Sequence, residues 1–373
     1  MSAESNITNA ETASGEQMLR PVSIRLLYEG MVIHDDIFDS GGERLLITAG
    51  NTLTIDHIER MHRINNGADI IYVTGRTHKT MVSKRPNIEI ARRVDLENSN
   101  GYTSTLKRVT ELYQDITDNN KVNRDGFCDV AGELSERTKS TSPSVTLSLI
   151  NAITPEDEFL QRHVINVGML NGLLGLWLGL PDEQIDKLVL LGLLHDCGQA
   201  LMPMEILQAP RIFTKIDHEV IKVHAVRAEE LLSEFPDDIH HTASTHHERI
   251  DGSGYPSGIK GDAVTGAARI TAISDIYEAV VSTRPHRSPR SPFHVLAMFD
   301  KMASKQIDSS VVNVLKEYLP QELIDRPVTM SDGTIGIIRE YDHSNIEYPK
   351  VEIGKRIIST NENLHCVSMY NDE

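Results

Sequence analysis

Between His163 and Asp275 the chain sets five histidines and two aspartates into segments that are otherwise apolar and helix-patterned. A buried imidazole or carboxylate without a partner is costly, so any fold built on these segments must give those groups something to bind. His163 lies on the stripe Val164, Val167, Leu170, Leu174 and Leu178, and His195-Asp196 closes the stripe Leu188, Leu191 and Leu194. His224 precedes a third stripe, Ala225, Ala228, Leu231 and Leu232, all at helical spacing. Gly198 is placed to stop the helix that ends at His195-Asp196. Neighbours on a helix point ~100° apart, so His246 and His247 can serve one point only near a helix end, which the following DGSGYPSG supplies. Asp275 comes after the mostly apolar ARITAIS. That donor set suffices for two metal ions with positions left for water and substrate, and a carboxylate placed like Asp196 can bridge them. The pattern reads as a metal-dependent hydrolase.

A formal charge of -17 argues against a broad nucleic-acid polymer surface or an anionic membrane face. A small phosphorylated substrate fits if metal ions and a few arginines reverse the field locally. Cys128, Cys197 and Cys366 form no CxxC pair and imply reduced thiols in a cytoplasmic protein rather than a disulfide framework. The polar, acidic start (MSAESNITNAETASGEQ) has no signal-peptide core. The longest apolar run, Leu173 to Leu180, stops at Pro181 and falls short of the ~20 residues a membrane span needs.

With 373 residues, two domains or one domain with appendages are expected. The fold class expected is mainly α. Residues 1–20 read as a disordered tail and 21–83 as a small α+β accessory domain. In the latter, Arg44 to Thr48 and Ile70 to Val73 read as strands and Ile55 to Ile64 as a helix. Residues 84–129 read as a linker and connecting helix, near Thr105 to Ile116, and 130–325 as an all-helical catalytic core. Residues 326–373 read as a C-terminal β-hairpin segment, turned at Asp332-Gly333.

The strings HVINV, LLHDCG, VHAVRAEELL, HHERIDGSGYPSGIKG, ARITAISDIYEA and TRPHR, in this order, resemble the HD-GYP phosphodiesterases of the HD phosphohydrolase superfamily. The resemblance covers about Val130 to Asp325. It implies a helical core with a two- or three-metal centre that hydrolyses cyclic di-GMP to the linear dinucleotide pGpG, to GMP, or to both. Carried over by position, it implies the metal ligands His163, His195, Asp196, His224, His246, His247 and Asp275, with Asp196 bridging and His195 and Asp196 catalytic. Two divalent ions, iron or manganese, are the expected cofactors. Arg284 and Arg287 match positions that contact substrate phosphates, where planar guanidinium groups suit bidentate recognition. Gln199 and Tyr255 complete the expected substrate contacts. A homodimer or a signalling-protein partner is compatible with the accessory domain.

Two positions depart from the pattern. The family's HDxGK reads His195-Asp196-Cys197-Gly198-Gln199 here, so a phosphate-holding lysine becomes an uncharged hydrogen-bond donor. Four residues before His163, where some members place a glutamate for a third metal, stands Phe159, with Glu158 adjacent. A non-catalytic cyclic-dinucleotide sensor or interaction module, and a phosphodiesterase for another cyclic dinucleotide, remain alternatives. His34-Asp35 is an HD dipeptide without the following glycine, and His240-His241 and His286 are not read as ligands.

Overall fold

The computed structural model describes residues 19–23, 32–33, 36–38, 45–54, 57, 70–74, 88–151, 158–207, 211, 213–283, 288–303 and 305–370. The chain divides into two compact units, Met1–Lys79 and Thr80–Glu373.

In the first unit, β1 (Leu19–Ser23), β2 (Val32–Ile33) and β5 (Ile70–Thr74) form a three-stranded antiparallel sheet in the order β1-β5-β2. β3 (Ile37–Phe38) pairs with β4 (Leu45–Ile47). The two strands expected from sequence are β4 and β5. Most of the helix expected over Ile55 to Ile64, and His34-Asp35, lie outside the described residues.

The second unit is helical up to residue 322. α1 (Ile88–Asn119) starts 17 residues before the helix expected over Thr105 to Ile116 and ends three residues after it. α2 (Arg124–Ser140) starts where Asn123 accepts from the Gly126 amide, and α3 (Pro143–Ile150) opens on a proline that needs no donor partner. α4 (Phe159–Leu178) is the hub, packed against α1, α2, α3, α5 (Asp182–Leu194), α9 (Gly266–Val281) and α11 (Ser309–Glu322). Sequence periodicity marks one apolar stripe on α4, yet nearly every residue from His163 to Leu178 is buried. A helix surrounded on all sides loses the amphipathic pattern. It ends at Gly179 in the left-handed region, φ 70°, where the Leu180 amide returns to the Gly175 carbonyl.

α4 and α5 cross closely. A Cβ on Gly192 would lie 2.3 Å from the Gly168 Cα, so two glycines let the backbones touch and bring the end of α5 beside His163. A 3₁₀ turn (Cys197–Leu201) and α6 (Met204–Leu207) lead to α7 (Lys215–Leu231). α7 opens with a reciprocal capping box between Thr214 and Asp217. α8 (Asp237–Thr245) and α10 (Pro292–Met302) complete the described α-helices. Among the described residues no helix is long and apolar enough to cross a membrane.

The expected C-terminal hairpin is part of something larger. β6 (Pro327–Met330), β7 (Ile335–Glu340), β8 (Lys350–Ile353), β9 (Arg356–Ser359) and β10 (Cys366–Met369) form a five-stranded antiparallel sheet in the order β10-β6-β7-β8-β9. The Asp332-Gly333 turn joins β6 to β7, with Gly333 at φ 82°. Val328, Met330, Ile338, Val351, Cys366 and Met369 are buried. A single strong turn signal exposes one hairpin in the sequence, whereas β10 closes onto β6 across a 36-residue separation that no local pattern announces.

Candidate metal centre

Five elements of the helical unit converge on one buried point. α4 contributes His163, and α5 ends with His195 as its C-cap and Asp196 just beyond. α7 contributes His224, α8 ends with His246 as its C-cap and His247 next, and α9 contributes Asp275. The helix-end reading of the adjacent histidines holds, since α8 stops at Thr245.

Gly198 plays a different part from the one expected. α5 has already ended at Leu194, and Gly198 lies inside the 3₁₀ turn. A Cβ there would lie 2.1 Å from the His224 carbonyl oxygen. The glycine therefore permits backbone contact between the turn bearing Asp196 and the helix bearing His224, and it does not act as a helix stop.

Three of the five histidines share a mode of support. His195 Nδ1 lies 2.7 Å from the Gly192 carbonyl, His224 Nδ1 2.5 Å from that of Ile221, and His246 Nδ1 2.7 Å from that of Ala243. Each ring spends its Nδ1–H three residues back on its own helix, leaving an Nε2 lone pair for the cluster. The other two differ: His163 Nδ1 faces Glu278 Oε2 at 2.5 Å, and His247 turns its Nδ1 toward Asp275.

Asp196 sits between two groups. Its Oδ2 is 3.4 Å from both His163 Nε2 and His195 Nε2, and its Oδ1 is 3.2 Å from His224 Nε2 and 3.7 Å from His246 Nε2. Asp275 Oδ1 approaches His163 Nε2 at 3.3 Å, and its Oδ2 lies 3.7 Å from His247 Nδ1. Two sets of donor atoms result, Asp196-His224-His246-His247 and His163-His195-Asp275, each with its atoms within 4.8 Å of one another.

The polar atoms themselves test whether cations fit. His224 Nε2, His246 Nε2 and Asp196 Oδ1 are fully buried and make no hydrogen bond. Orphaned buried polar atoms of this kind are rare and need a compensating partner. Their nitrogen and oxygen chemistry, with no thiolate among them, suits a first-row divalent ion. Protonation favours the same partner. Burial pushes His246 down to about 3, reinforced by the neighbouring His195, and burial and then His246 push His247 well below the usual imidazole range. Burial alone would raise the Asp196 and Asp275 carboxyls. The surrounding imidazoles nevertheless hold both below the usual carboxylate range, His195 foremost for Asp196 and His163 for Asp275. Depressed imidazoles beside ionised carboxylates leave lone pairs open to a cation at neutral pH. These buried His/Asp clusters fit a binuclear metal site.

The glycine-rich loop covers one side. Glu248, buried, accepts from the Ser257 and Gly258 amides at 2.7 and 2.9 Å, pinning the loop to the end of α8. The Tyr255 ring lies on His247 with centroids 4.6 Å apart, and Lys222 Nζ sits 5.6 Å from the Tyr255 centroid. Tyr255 thus walls the cluster, and burial raises its phenol. Gln199 lies in the 3₁₀ turn, partly exposed, three residues past Asp196. Arg284, His286 and Arg287 lie outside the described residues. Glu158 turns to Arg162 at 3.4 Å, away from the ligand sets, and His240 pairs with Asp237 at 3.3 Å.

Sequence reasoning missed three supporting residues. Glu278 follows Asp275 by one helical turn, and Asn166 follows His163 by three residues, so both were visible as polar groups on apolar helices. Tyr102, whose hydroxyl meets Asn166, lies 64 residues upstream of it and carries no local signal.

Residues 147–311 match the HD domain family. The chain carries an HD domain. The chain is 32% identical over 175 residues to 3'3'-cGAMP-specific phosphodiesterase 1 of Vibrio cholerae, covering 46% of this chain and 41% of that protein. It is 30% identical over 184 residues to a cyclic di-GMP phosphodiesterase of Thermotoga maritima, covering 48% and 50%. A cyclic di-GMP phosphodiesterase of Pseudomonas aeruginosa is 26% identical over 254 residues, covering 66% and 59%. The chain thus spans about half the length of the curated relatives it matches. All seven residues of the two ligand sets lie inside the HD domain, while α1, α2 and the C-terminal sheet lie outside it.

Proposed function

We propose that the HD domain is a metal-dependent phosphodiesterase that opens a cyclic dinucleotide, with cyclic di-GMP as its substrate and pGpG, GMP or both as products. The observation that carries this reading is Asp196, whose two oxygens face two different sets of imidazoles. A single carboxylate so placed would be shared by two ions, and two ions side by side match the charge of a phosphodiester undergoing in-line displacement. The relatives named as cyclic di-GMP and 3'3'-cGAMP phosphodiesterases supply the substrate class.

His163, His195 and Asp275 would hold one ion and His224, His246 and His247 the other, with Asp196 common to both. Iron or manganese suits this oxygen and nitrogen set. When bound, the ions supply Lewis-acid stabilisation of phosphoryl charge and lower the pKa of water. The chain's own groups do the rest. His246 and His247, held below the usual imidazole range, stay neutral and Asp196 and Asp275 stay ionised at neutral pH, so these four ligands meet a cation without first losing a proton. The Tyr255 ring and the loop anchored by Glu248 cover part of the His247 side. The Gln199 amide donates a hydrogen bond to a phosphate oxygen without adding charge, and Arg284 and Arg287 supply the guanidinium groups for the remaining phosphate oxygens.

A second reading is favoured by one specific finding: the Vibrio cholerae relative at 32% identity is named for 3'3'-cGAMP. Both are tested by one experiment. The full chain, purified with iron or manganese retained, is given cyclic di-GMP and 3'3'-cGAMP separately and products are followed by chromatography. Higher kcat/KM for cyclic di-GMP supports the first reading, and higher kcat/KM for 3'3'-cGAMP replaces it with the second. Tight binding of either without product makes the domain a sensor.

A further inference from the structure

The HD domain match begins at residue 147, yet a side chain far upstream reaches the support of the cluster. α1 buries Tyr102 against α4, and its hydroxyl donates to Asn166 Oδ1 at 2.9 Å. Asn166 Nδ2 donates to Glu278 Oε1 at 3.1 Å, and Glu278 Oε2 takes His163 Nδ1 at 2.5 Å. Ser282 Oγ adds a donor to Glu278 Oε1 at 2.6 Å. Tyr102, Asn166, Glu278 and His163 are all buried.

Donors and acceptors alternate along this path without conflict: phenol O–H to amide oxygen, amide N–H to carboxylate, imidazole N–H to carboxylate. The order has a consequence for His163. With Nδ1–H committed to Glu278, Nε2 carries the lone pair, and Nε2 is the nitrogen that faces Asp196 and Asp275. Asn166 is the adjustable link, because its amide could turn over and set an oxygen against the Glu278 carboxylate. Tyr102 O–H, donating to the amide oxygen, holds the nitrogen toward Glu278. In a buried, low-dielectric network each such link counts for more than it would in water.

We infer that Tyr102 is a positioning residue of the metal centre, locking Asn166 so that Glu278 holds His163 Nε2 on one of the two ions. This rests on the metal-centre part of the proposed function. The inference predicts an asymmetry. His163 belongs to the set with His195 and Asp275, whereas His224 and His246 are braced by carbonyls of their own helices. Loss of the Tyr102 hydroxyl should therefore weaken one ion site and spare the other.

Manganese titration of the metal-stripped full chain, by calorimetry and by the electron paramagnetic resonance of bound and free ion, tests this in Tyr102→Phe, Asn166→Ala and the double variant. Tyr102→Phe keeps the ring against Arg162 and removes only the hydroxyl. Second-sphere partners of metal-bound histidines are worth roughly 10- to 100-fold in affinity, so one site should weaken by about tenfold and the other should change less than about twofold. Asn166→Ala should weaken the same site at least as much, and the double variant no further, since the hydroxyl acts through the amide. Unchanged sites in Tyr102→Phe, equal weakening of both sites, a lowered thermal midpoint with parental affinities, or additive losses in the double variant would each overturn the inference. A parental chain that binds no manganese removes the metal centre and the inference with it. Two parental sites left intact by Tyr102→Phe removes the inference alone.

Discussion

Asp196 is the residue through which both donor sets are joined, with Oδ2 toward His163 and His195 and Oδ1 toward His224 and His246. Asp196→Ala should lose bound metal and turnover together, with turnover reduced by more than about a hundredfold, beyond what loss of a supporting partner costs. Elemental analysis beside a product assay checks this, and full metal content at full rate would sink the ligand assignment. Gln199→Lys belongs to the opposite class. It lies in the 3₁₀ turn outside the ligand sets, so metal content should stay at the parental value. One added charge-assisted hydrogen bond to phosphate, worth roughly 1 kcal/mol net, should lower KM about fivefold. An unchanged KM would mean that position 199 does not face the phosphates. The sequence makes the seven cluster residues legible because imidazoles and carboxylates stand out on apolar helices. It hides Tyr102, because a tyrosine at helical spacing in α1 has the same pattern as Tyr113, a core residue whose hydroxyl meets the Leu193 carbonyl.

The start of α7 shows how a helix end contributes to stability. Arg211 first, and then the Thr214 backbone and hydroxyl, hold the Asp217 carboxyl well below the usual carboxylate range. Its unfolded value is about 3.9, so its contribution to stability is complete above that pH and fades as pH falls toward the depressed folded value. Asp217→Asn should therefore lower the thermal midpoint at pH 7. The gap from the parent should hold at pH 5 and narrow steadily below about pH 4. Thermal melts at pH 7, 5 and 3 check the sign, and a gap that widens toward acid would refute it. The contact between the 3₁₀ turn and α7 is equally specific. Gly198→Ala places a methyl against the His224 carbonyl, and overpacking of this sort costs about 1–3 kcal/mol. The variant should melt several degrees lower and bind manganese more weakly, because the strain falls between Asp196 and His224. Element existence was readable along α4, α5 and α7 from their apolar stripes. Contacts between elements, such as Gly198 on α7 or Gly192 on Gly168, were not, since a glycine looks the same in sequence whether it ends a helix or admits another backbone.

Across the whole molecule, ligands from α4, the end of α5, α7, the end of α8 and α9 tie five elements to one point. Ions that bind only the folded chain stabilise it by mass action, about 2.7 kcal/mol for one site at a hundredfold excess over its Kd. Chelation should lower the thermal midpoint by several degrees and manganese should restore it. The chain has one tryptophan, Trp177, stacked on Tyr318 with centroids 5.7 Å apart between α4 and α11, so its fluorescence reports this unfolding directly. A midpoint indifferent to chelator would separate the cluster from the fold's stability. The class of the second unit was legible because helical periodicity is local, whereas the sheet closing β10 onto β6 depends on pairings that only the folded chain brings together. The dispersal of the ligands also sets a timetable. A nascent chain emerges from the amino terminus onward, and Asp275 is made 112 residues after His163, with α7 and α8 in between. No shorter precursor owns both donor sets, so a pair of ions would be captured only once synthesis has passed α9 and the helices have docked. Metal acquisition would then record that the helical core was finished.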